Sequence, residues 1–173
     1  ILMRSTWIFF VFVPLFWACG NDQPAEKQPQ ENFAPVNEED LALRLSMLLI
    51  PNARSQAQLD HNQMVDYAIG EMLDVKKTDS GLFYTILRAG DQEEQVPRWG
   101  DVIYVKYRGS FLDGKVFDES AKGKPLRIKL KQVIPGWQEA LQLLRPGSKG
   151  LFLIPSYLAY GEKGFGENIP PNE

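Results

Sequence analysis

The chain has 173 residues, enough for one domain with additional segments, and 44% of them are hydrophobic, which suffices for a packed core. Its 19 Lys and Arg residues against 22 Asp and Glu residues give a net charge of −3, which argues against nucleic-acid binding through a basic surface. The single cysteine excludes an internal disulfide, and the single histidine leaves almost no room for a His-rich metal site or a nucleophile paired with histidine.

Residues 1–18 have the organisation of a secretory signal peptide. Met3 is the expected start, Arg4 supplies a positive charge, and an apolar run extends from Trp7 to Ala18. This run is shorter than the roughly 20 apolar residues that a membrane-spanning helix needs. The segment is therefore predicted to direct export.

Cys19 lies directly after this run, at the position where processing is expected. The segment resembles the cleavage box of bacterial lipoproteins, with Phe16 where leucine is usual. This resemblance implies cleavage before Cys19, acylation of its thiol and amine, and a protein anchored to a membrane of the bacterial cell envelope, facing the periplasm or the exterior. The alternatives are an incidental cysteine in an ordinary signal peptide and an uncleaved anchor.

Residues 20–37 are polar and rich in Gln and Pro, which predicts a disordered tether.

Asn37 then precedes three acidic residues and a run of spaced leucines, so we expect it to cap a first helix. Pro51 is expected to stop that helix.

A second helix is predicted from about residue 56 to residue 74, because apolar residues recur there at spacings of three and four. Together the two helices form a predicted N-terminal helical segment at 38–77. It could be an arm for dimerisation or client binding, or a helical pair that packs on the following domain. His61 lies among polar residues and is expected on the surface.

From Thr78 the apolar pattern changes to one that is typical of strands. The dipeptide Asp113-Gly114 is a hairpin signal, and an apolar stripe from Trp137 to Leu144 predicts one short helix. The predicted strands cover residues 81–87, 102–108, 115–118, 126–130 and 151–154. Antiparallel strands around one short helix indicate an α+β domain.

Four motifs in the last part of the chain carry a family resemblance. They are Gly100-Asp101-Val102 with Tyr107-Arg108-Gly109 and Asp113-Gly114-Lys115-Val116-Phe117-Asp118; Val133-Ile134-Pro135-Gly136-Trp137; Tyr157-Leu158-Ala159-Tyr160-Gly161; and Ile169-Pro170-Pro171. In this order and spacing they resemble the FKBP-type peptidyl-prolyl cis-trans isomerases, the macrolide-binding rotamases, in a bacterial lipoprotein form. The resemblance implies an antiparallel β-sheet wrapped around one short helix, in a domain at 78–173.

The chemistry of prolyl isomerisation sets modest demands on a site. Rotation about an X-Pro bond faces a barrier of about 18–20 kcal/mol, because the amide loses resonance at the twist. No covalent bond is made or broken, so no nucleophile, metal or cofactor is expected. A site accelerates the rotation by binding the twisted amide better than either planar form, in an apolar cavity that holds the proline ring and has one or two donors.

The resemblance implies three groups of site residues. The apolar and aromatic pocket consists of Tyr107, Phe117, Val133, Ile134 and Trp137. The polar groups are the Asp118 carboxylate, the Tyr160 phenol and the backbone N–H of Ile134. Further substrate-binding residues are Leu126, Phe165 and Ile169. Taken singly, each aromatic residue could be an ordinary core residue.

The resemblance also implies partners. These are proline-containing unfolded or exported polypeptides, macrolide inhibitors and, through an acylated Cys19, the lipid bilayer; nucleic acid is not expected. Two other classes stay open. One is a non-catalytic peptide-binding or chaperone lipoprotein on the same fold, and the other is a structural lipoprotein whose helices at 38–74 mediate assembly.

After Pro170-Pro171 the family continues into a final strand, whereas this chain stops at Glu173. A missing sheet strand would leave backbone groups unpaired. We therefore expect the sequence to be a shortened form of a longer chain. The alternative is a chain that ends here naturally and does not fold alone.

Overall fold

The computed structural model describes residues 37–173. The predicted signal peptide, Cys19 and residues 20–36 of the predicted tether lie outside the described residues. Within 37–173, no helix has both the length and the apolar character that crossing a membrane requires.

Two helices open the described part of the chain, α1 at Glu38–Ser46 and α2 at Gln56–Gly70. The prediction that Asn37 caps α1 is confirmed, since its side chain accepts a hydrogen bond from the Glu39 N–H at 3.1 Å. Both helices end earlier than predicted. In α2 the reason is local, because Met72 has a left-handed backbone with φ of 52°, which stops the helix before residue 74.

Seven strands and a third helix follow. The strands are β1 (Lys76–Lys77), β2 (Phe83–Arg88), β3 (Val102–Val105), β4 (Arg108–Ser110), β5 (Val116–Glu119), β6 (Leu126–Lys129) and β7 (Lys149–Leu153), and α3 spans Pro135–Gln142. All pairings between these strands are antiparallel, so the predicted α+β class is confirmed.

The strands form three small sheets instead of one, in the orders β1-β2-β7, β3-β6 and β4-β5. The predicted strand at 102–108 is therefore wrong as a single element. It is divided at Tyr107, whose backbone pairs with Ser120 beyond the end of β5. The predicted hairpin at Asp113-Gly114 joins β4 to β5, and the Asp113 carboxylate accepts the N–H of Lys115 at 2.8 Å.

The main core lies between the helical pair and the sheet β1-β2-β7. Its buried members are Leu41, Leu45, Met64, Val65, Ala68, Val75, Phe83 and Leu153. The helices contribute five of these eight residues, β2 and β7 contribute Phe83 and Leu153, and Val75 lies just before β1. The pair packs on the sheet, as the second of the two sequence alternatives describes.

His61 is buried, which overturns its expected place on the surface. It is 8% exposed, its Nε2 lies 2.8 Å from the carbonyl oxygen of Leu48, and its ring centroid is 5.3 Å from that of Phe83. A polar side chain can be buried when a backbone group satisfies it. The partner of His61 lies in the α1–α2 connection, whose position the helical periodicity does not reveal.

Replacing Phe83 with Ala is expected to lower the free energy of unfolding by about 3–5 kcal/mol, because a fully buried ring leaves a cavity. Urea denaturation followed by circular dichroism measures this. Leu87→Ala on the same strand is the control, because Leu87 is 45% exposed, and it should cost less than about 1 kcal/mol. Equal losses in the two variants would contradict the described core.

Candidate active site

Tyr107 lies between β3 and β4, where both ends of the β4–β5 hairpin meet. Its N–H donates to Ser120 Oγ at 3.1 Å, and the Ser120 N–H donates back to the Tyr107 carbonyl at 3.0 Å. These bonds replace the sheet ladder at this point and fix the backbone from which the phenol projects.

The Tyr107 side chain links a carboxylate to an indole. Its hydroxyl donates to Asp118 Oδ2 at 2.6 Å, and its ring centroid lies 4.9 Å from that of Trp137 with the ring planes at 80°. Edge-to-face packing of this kind is a favoured aromatic geometry. The contacts bring β5 and the first turn of α3 to one place.

The same contacts affect ionisation. Partial burial, the hydrogen bond to Asp118, and the negative charges of Asp118 and of an ionised Tyr160 raise the pKa of Tyr107 to about 12. The phenol is therefore neutral at physiological pH and acts as a donor, not as a base.

Phe117 crosses the hairpin over a glycine. A Cβ on Gly109 would lie 2.7 Å from the Phe117 ring, so a side chain at this position would displace it. On its other side the Phe117 ring packs against Phe111, with centroids 5.0 Å apart. Gly109 is thus needed for the place that Phe117 occupies.

The segment before α3 carries the other predicted pocket residues. Val133 ends a short 3₁₀ turn, and Ile134 is the N-cap of α3, whose carbonyl accepts the N–H of Trp137 at 3.0 Å. The Gln138 side chain donates to the Val133 carbonyl at 2.6 Å, which fixes this entry to the helix. Among the described residues, no backbone acceptor pairs with the Ile134 N–H.

The loop after Tyr160 folds back on it. The Phe165 ring lies 5.0 Å from the Tyr160 ring with the planes at 30°, while Phe165 remains 62% exposed. Phe165 and Ile169 exchange two backbone hydrogen bonds, of 2.8 and 3.1 Å, that close the loop. Ile169 is only 7% exposed, so its side chain supports the loop from beneath.

The structure joins some of the predicted site residues by direct contact and not others. Tyr107, Asp118 and Trp137 form one contact group, and Tyr160 lies near enough for its charge to affect Tyr107. Leu126 is on β6, opposite Val105, and is 41% exposed.

Sequence reasoning missed one residue of this site. Ser120 sets the Tyr107 backbone, yet a single serine after a strand gives no signal until the strands are paired. The alternation of apolar and polar residues continues from Val105 to Arg108, so the sequence pattern gives no sign that the strand is broken there.

The antiparallel α+β fold thus brings together the Tyr107 and Trp137 rings, the Asp118 carboxylate and the nearby Tyr160 phenol, and apolar rings with a few polar groups are typical of sites that bind small organic groups. The sequence profile of the family described as FKBP-type peptidyl-prolyl cis-trans isomerase matches residues 93–173.

Individual proteins show the same similarity. A probable FKBP-type peptidyl-prolyl cis-trans isomerase FkpA of Neisseria meningitidis is 48% identical over 99 residues, which cover 57% of this chain and 36% of the relative. The outer membrane protein MIP of Legionella longbeachae is 46% identical over 95 residues, covering 54% of this chain and 40% of the relative. The matched part is thus less than half the length of these curated relatives.

A solved structure extends the similarity to the fold. The crystal structure of a peptidyl-prolyl cis-trans isomerase from Pseudomonas syringae pv. tomato has a TM-score of 0.56 and 32% identity, covering 70% of this chain and 90% of that one. The chain belongs to the FKBP-type peptidyl-prolyl cis-trans isomerase family.

Replacing Asp118 with Asn is expected to lower the pKa of Tyr107 toward its ordinary value of 10.0, because a charge that disfavours the phenolate is removed. NMR titration of ring-labelled tyrosine measures this pKa, with Tyr107→Phe assigning the resonance. Glu119→Gln removes an exposed neighbouring carboxylate and should leave the pKa in place. A Tyr107 pKa that Asp118→Asn does not move would contradict the described hydrogen bond.

Proposed function

We propose that this chain accelerates cis-trans rotation of X-Pro bonds in polypeptides. The observation that carries the proposal is the edge-on contact of Tyr107 with Trp137, held by the Asp118 hydrogen bond. This contact makes an apolar wall and floor of fixed shape, with phenolic and backbone donors near it. Such a site suits a proline ring and its preceding carbonyl.

The proposed mechanism is stabilisation of the twisted amide. At the twist, the nitrogen lone pair no longer delocalises onto the carbonyl, so the amide becomes less polar and loses less by leaving water. Trp137 and Phe117 supply the apolar surface against which the proline ring rests. The Tyr160 hydroxyl and the Ile134 N–H hold the carbonyls of the peptide, so the rotation occurs about one bond in a fixed frame.

We propose the pocket residues of the sequence analysis as the site, with different roles. Val133, Ile134 and Phe117 line it, while Asp118 fixes Tyr107. The exposed Leu126 and Phe165 contact the flanking peptide, and the buried Ile169 maintains the loop that carries Phe165.

For the setting of the reaction we propose the cell envelope. The apolar run before Cys19 supports export and acylation, and the name of the Legionella longbeachae relative describes an outer membrane protein. The substrates would then be exported polypeptides that are still unfolded. Macrolides that imitate the proline peptide are the expected inhibitors.

One observation favours the second candidate, a peptide-binding module without turnover. Phe165 covers one face of the Tyr160 ring and could compete with a substrate for that face. The two backbone hydrogen bonds hold the main chain of this loop, whereas the Phe165 side chain is 62% exposed. We therefore propose that the Phe165 ring moves with the bound peptide.

Tyr160→Phe is expected to lower kcat/KM for a short X-Pro peptide about three- to tenfold, because one hydrogen bond to a neutral carbonyl is lost. A protease-coupled isomerisation assay measures this. Tyr104→Phe is the matched control, because Tyr104 is on β3 and 65% exposed, and its activity should equal that of the wild type.

Two results would count against the proposed catalysis. Equal activity of the Tyr160 and Tyr104 variants would remove Tyr160 from the site. A folded wild-type chain that binds the peptide without accelerating its isomerisation would leave the binding module as the function.

Cys19→Ser is expected to abolish incorporation of labelled palmitate and to move the protein from the membrane fraction to the soluble fraction, because the thiol is the acceptor for acylation. Metabolic labelling and fractionation measure both effects. Ser5→Ala, within the predicted signal peptide, is the control and should change neither. Undiminished labelling of Cys19→Ser would contradict the proposed anchor.

A further inference from the structure

A buried turn leads directly to Tyr160. After β7 ends at Leu153, the chain makes a 3₁₀ turn at Ser156–Leu158, and Tyr160 follows two residues later. Ser156 is only 3% exposed, so its backbone position depends on protein contacts and not on water. A shift of this turn would be passed to Tyr160 through the two peptide bonds that separate it from Leu158.

The turn is tied to α2 by a carboxylate that lies 96 positions earlier in the chain. One oxygen of Asp60 accepts the Ser156 N–H at 2.9 Å and the Ser156 hydroxyl at 2.6 Å. The other oxygen accepts the Gln56 side-chain amide at 2.6 Å. Asp60 is 4% exposed, so nearly all of its contacts are with protein.

A buried carboxylate is costly unless donors surround it, and here three donors do. Charge-assisted hydrogen bonds are shorter and stronger than neutral ones and have a stricter geometry. An apolar contact would hold α2 against the turn equally well but would not fix its register. The carboxylate fixes both the backbone and the side chain of one residue.

The opposite side of the turn is packed against the start of α3. A Cβ on Gly136 would lie 2.4 Å from Ile154 Cγ2 and 3.2 Å from the Leu158 carbonyl oxygen, so the two segments touch without an intervening side chain. The neighbouring residue, Trp137, belongs to the candidate site. The turn therefore lies between Asp60 and the segment that carries Trp137.

A second tie holds the exposed face of the turn. The Tyr157 hydroxyl donates to the Ser80 carbonyl at 2.9 Å, and the Ser80 hydroxyl donates to Glu139 on α3. Burial, followed by the charges of Asp60 and Glu139, raises the pKa of Tyr157, which keeps this donor protonated. The turn is thus bonded to Asp60 on one side and linked through Ser80 to α3, the helix of Trp137, on the other.

We propose that Asp60 is a positioning residue for Tyr160, acting through the Ser156 turn, so that α2 is part of the catalytic unit. The proposal rests on the proposed isomerase function. It assigns the helical segment a role in the reaction that is separate from any role in assembly. Asp60 itself touches no substrate.

The test uses the full natural chain in mild detergent. Asp60→Asn keeps the shape of the side chain and removes its charge, and it is expected to lower kcat/KM about fivefold with a smaller change in KM. Asp66→Asn is the matched control on α2, because Asp66 is exposed, and its activity should equal that of the wild type.

A double-mutant cycle separates positioning from a general loss of structure. If Asp60 acts through the Tyr160 hydroxyl, Asp60→Asn should change kcat/KM by less than about twofold once Tyr160→Phe is present. An undiminished effect in that background would overturn the proposal. Circular dichroism and urea midpoints confirm that each variant is folded under the assay conditions.

Hydrogen exchange gives a readout that does not need activity. Asp60→Asn and Ser156→Ala are both expected to speed exchange of the amides at 156–161 selectively, with the α1 amides unchanged as an internal reference. Unchanged exchange there would overturn the proposal even in an active enzyme. If the wild type is active and Asp60→Asn has the same kcat/KM as Asp66→Asn, this proposal alone is overturned. If the wild type is inactive, the proposed isomerase function is overturned together with it.

Discussion

The Tyr107 side chain links the β4–β5 hairpin to α3, an element that no backbone ladder connects to that hairpin. The described strands form three separate small sheets, so side chains must hold them in a fixed relation. The Tyr107 hydroxyl donates to Asp118 within the β4–β5 hairpin, and its ring edge packs on Trp137 of α3. The same contacts form the candidate pocket. The shape of the candidate site therefore depends on the contacts of one phenol.

A reaction that breaks no covalent bond places its demands on shape. The barrier of about 18–20 kcal/mol arises from lost resonance, and a protein lowers it only by fitting the twisted amide better than the planar one. Small displacements of a ring or a donor then matter more than the pKa of any group. Buried polar ties, such as that of Asp60 to Ser156, suit this demand. They fix orientation, which apolar packing alone leaves looser.

The sequence predicted the features that depend on neighbouring residues. The Asn37 cap, the Asp113-Gly114 hairpin and the helix beginning near Trp137 are local, and the motif order named the family before any contact was known. Features that depend on distant partners were missed. The burial of His61 and Asp60 is one such feature. The partner of His61 lies 13 positions away in the chain, and Ser156, which donates to Asp60, lies 96 positions away. No periodicity in one sequence records such partners.

We propose that the site around Tyr107 and Trp137 catalyses rotation of an X-Pro bond. NMR magnetisation exchange on a short proline peptide, with a small fraction of the natural chain added, tests it most directly. Uncatalysed exchange takes about 10–100 s, too slow to transfer magnetisation between the cis and trans resonances. Exchange peaks are expected to appear with the wild-type chain and to weaken with Trp137→Leu. A folded chain that binds the peptide but produces no exchange peaks would contradict the proposal.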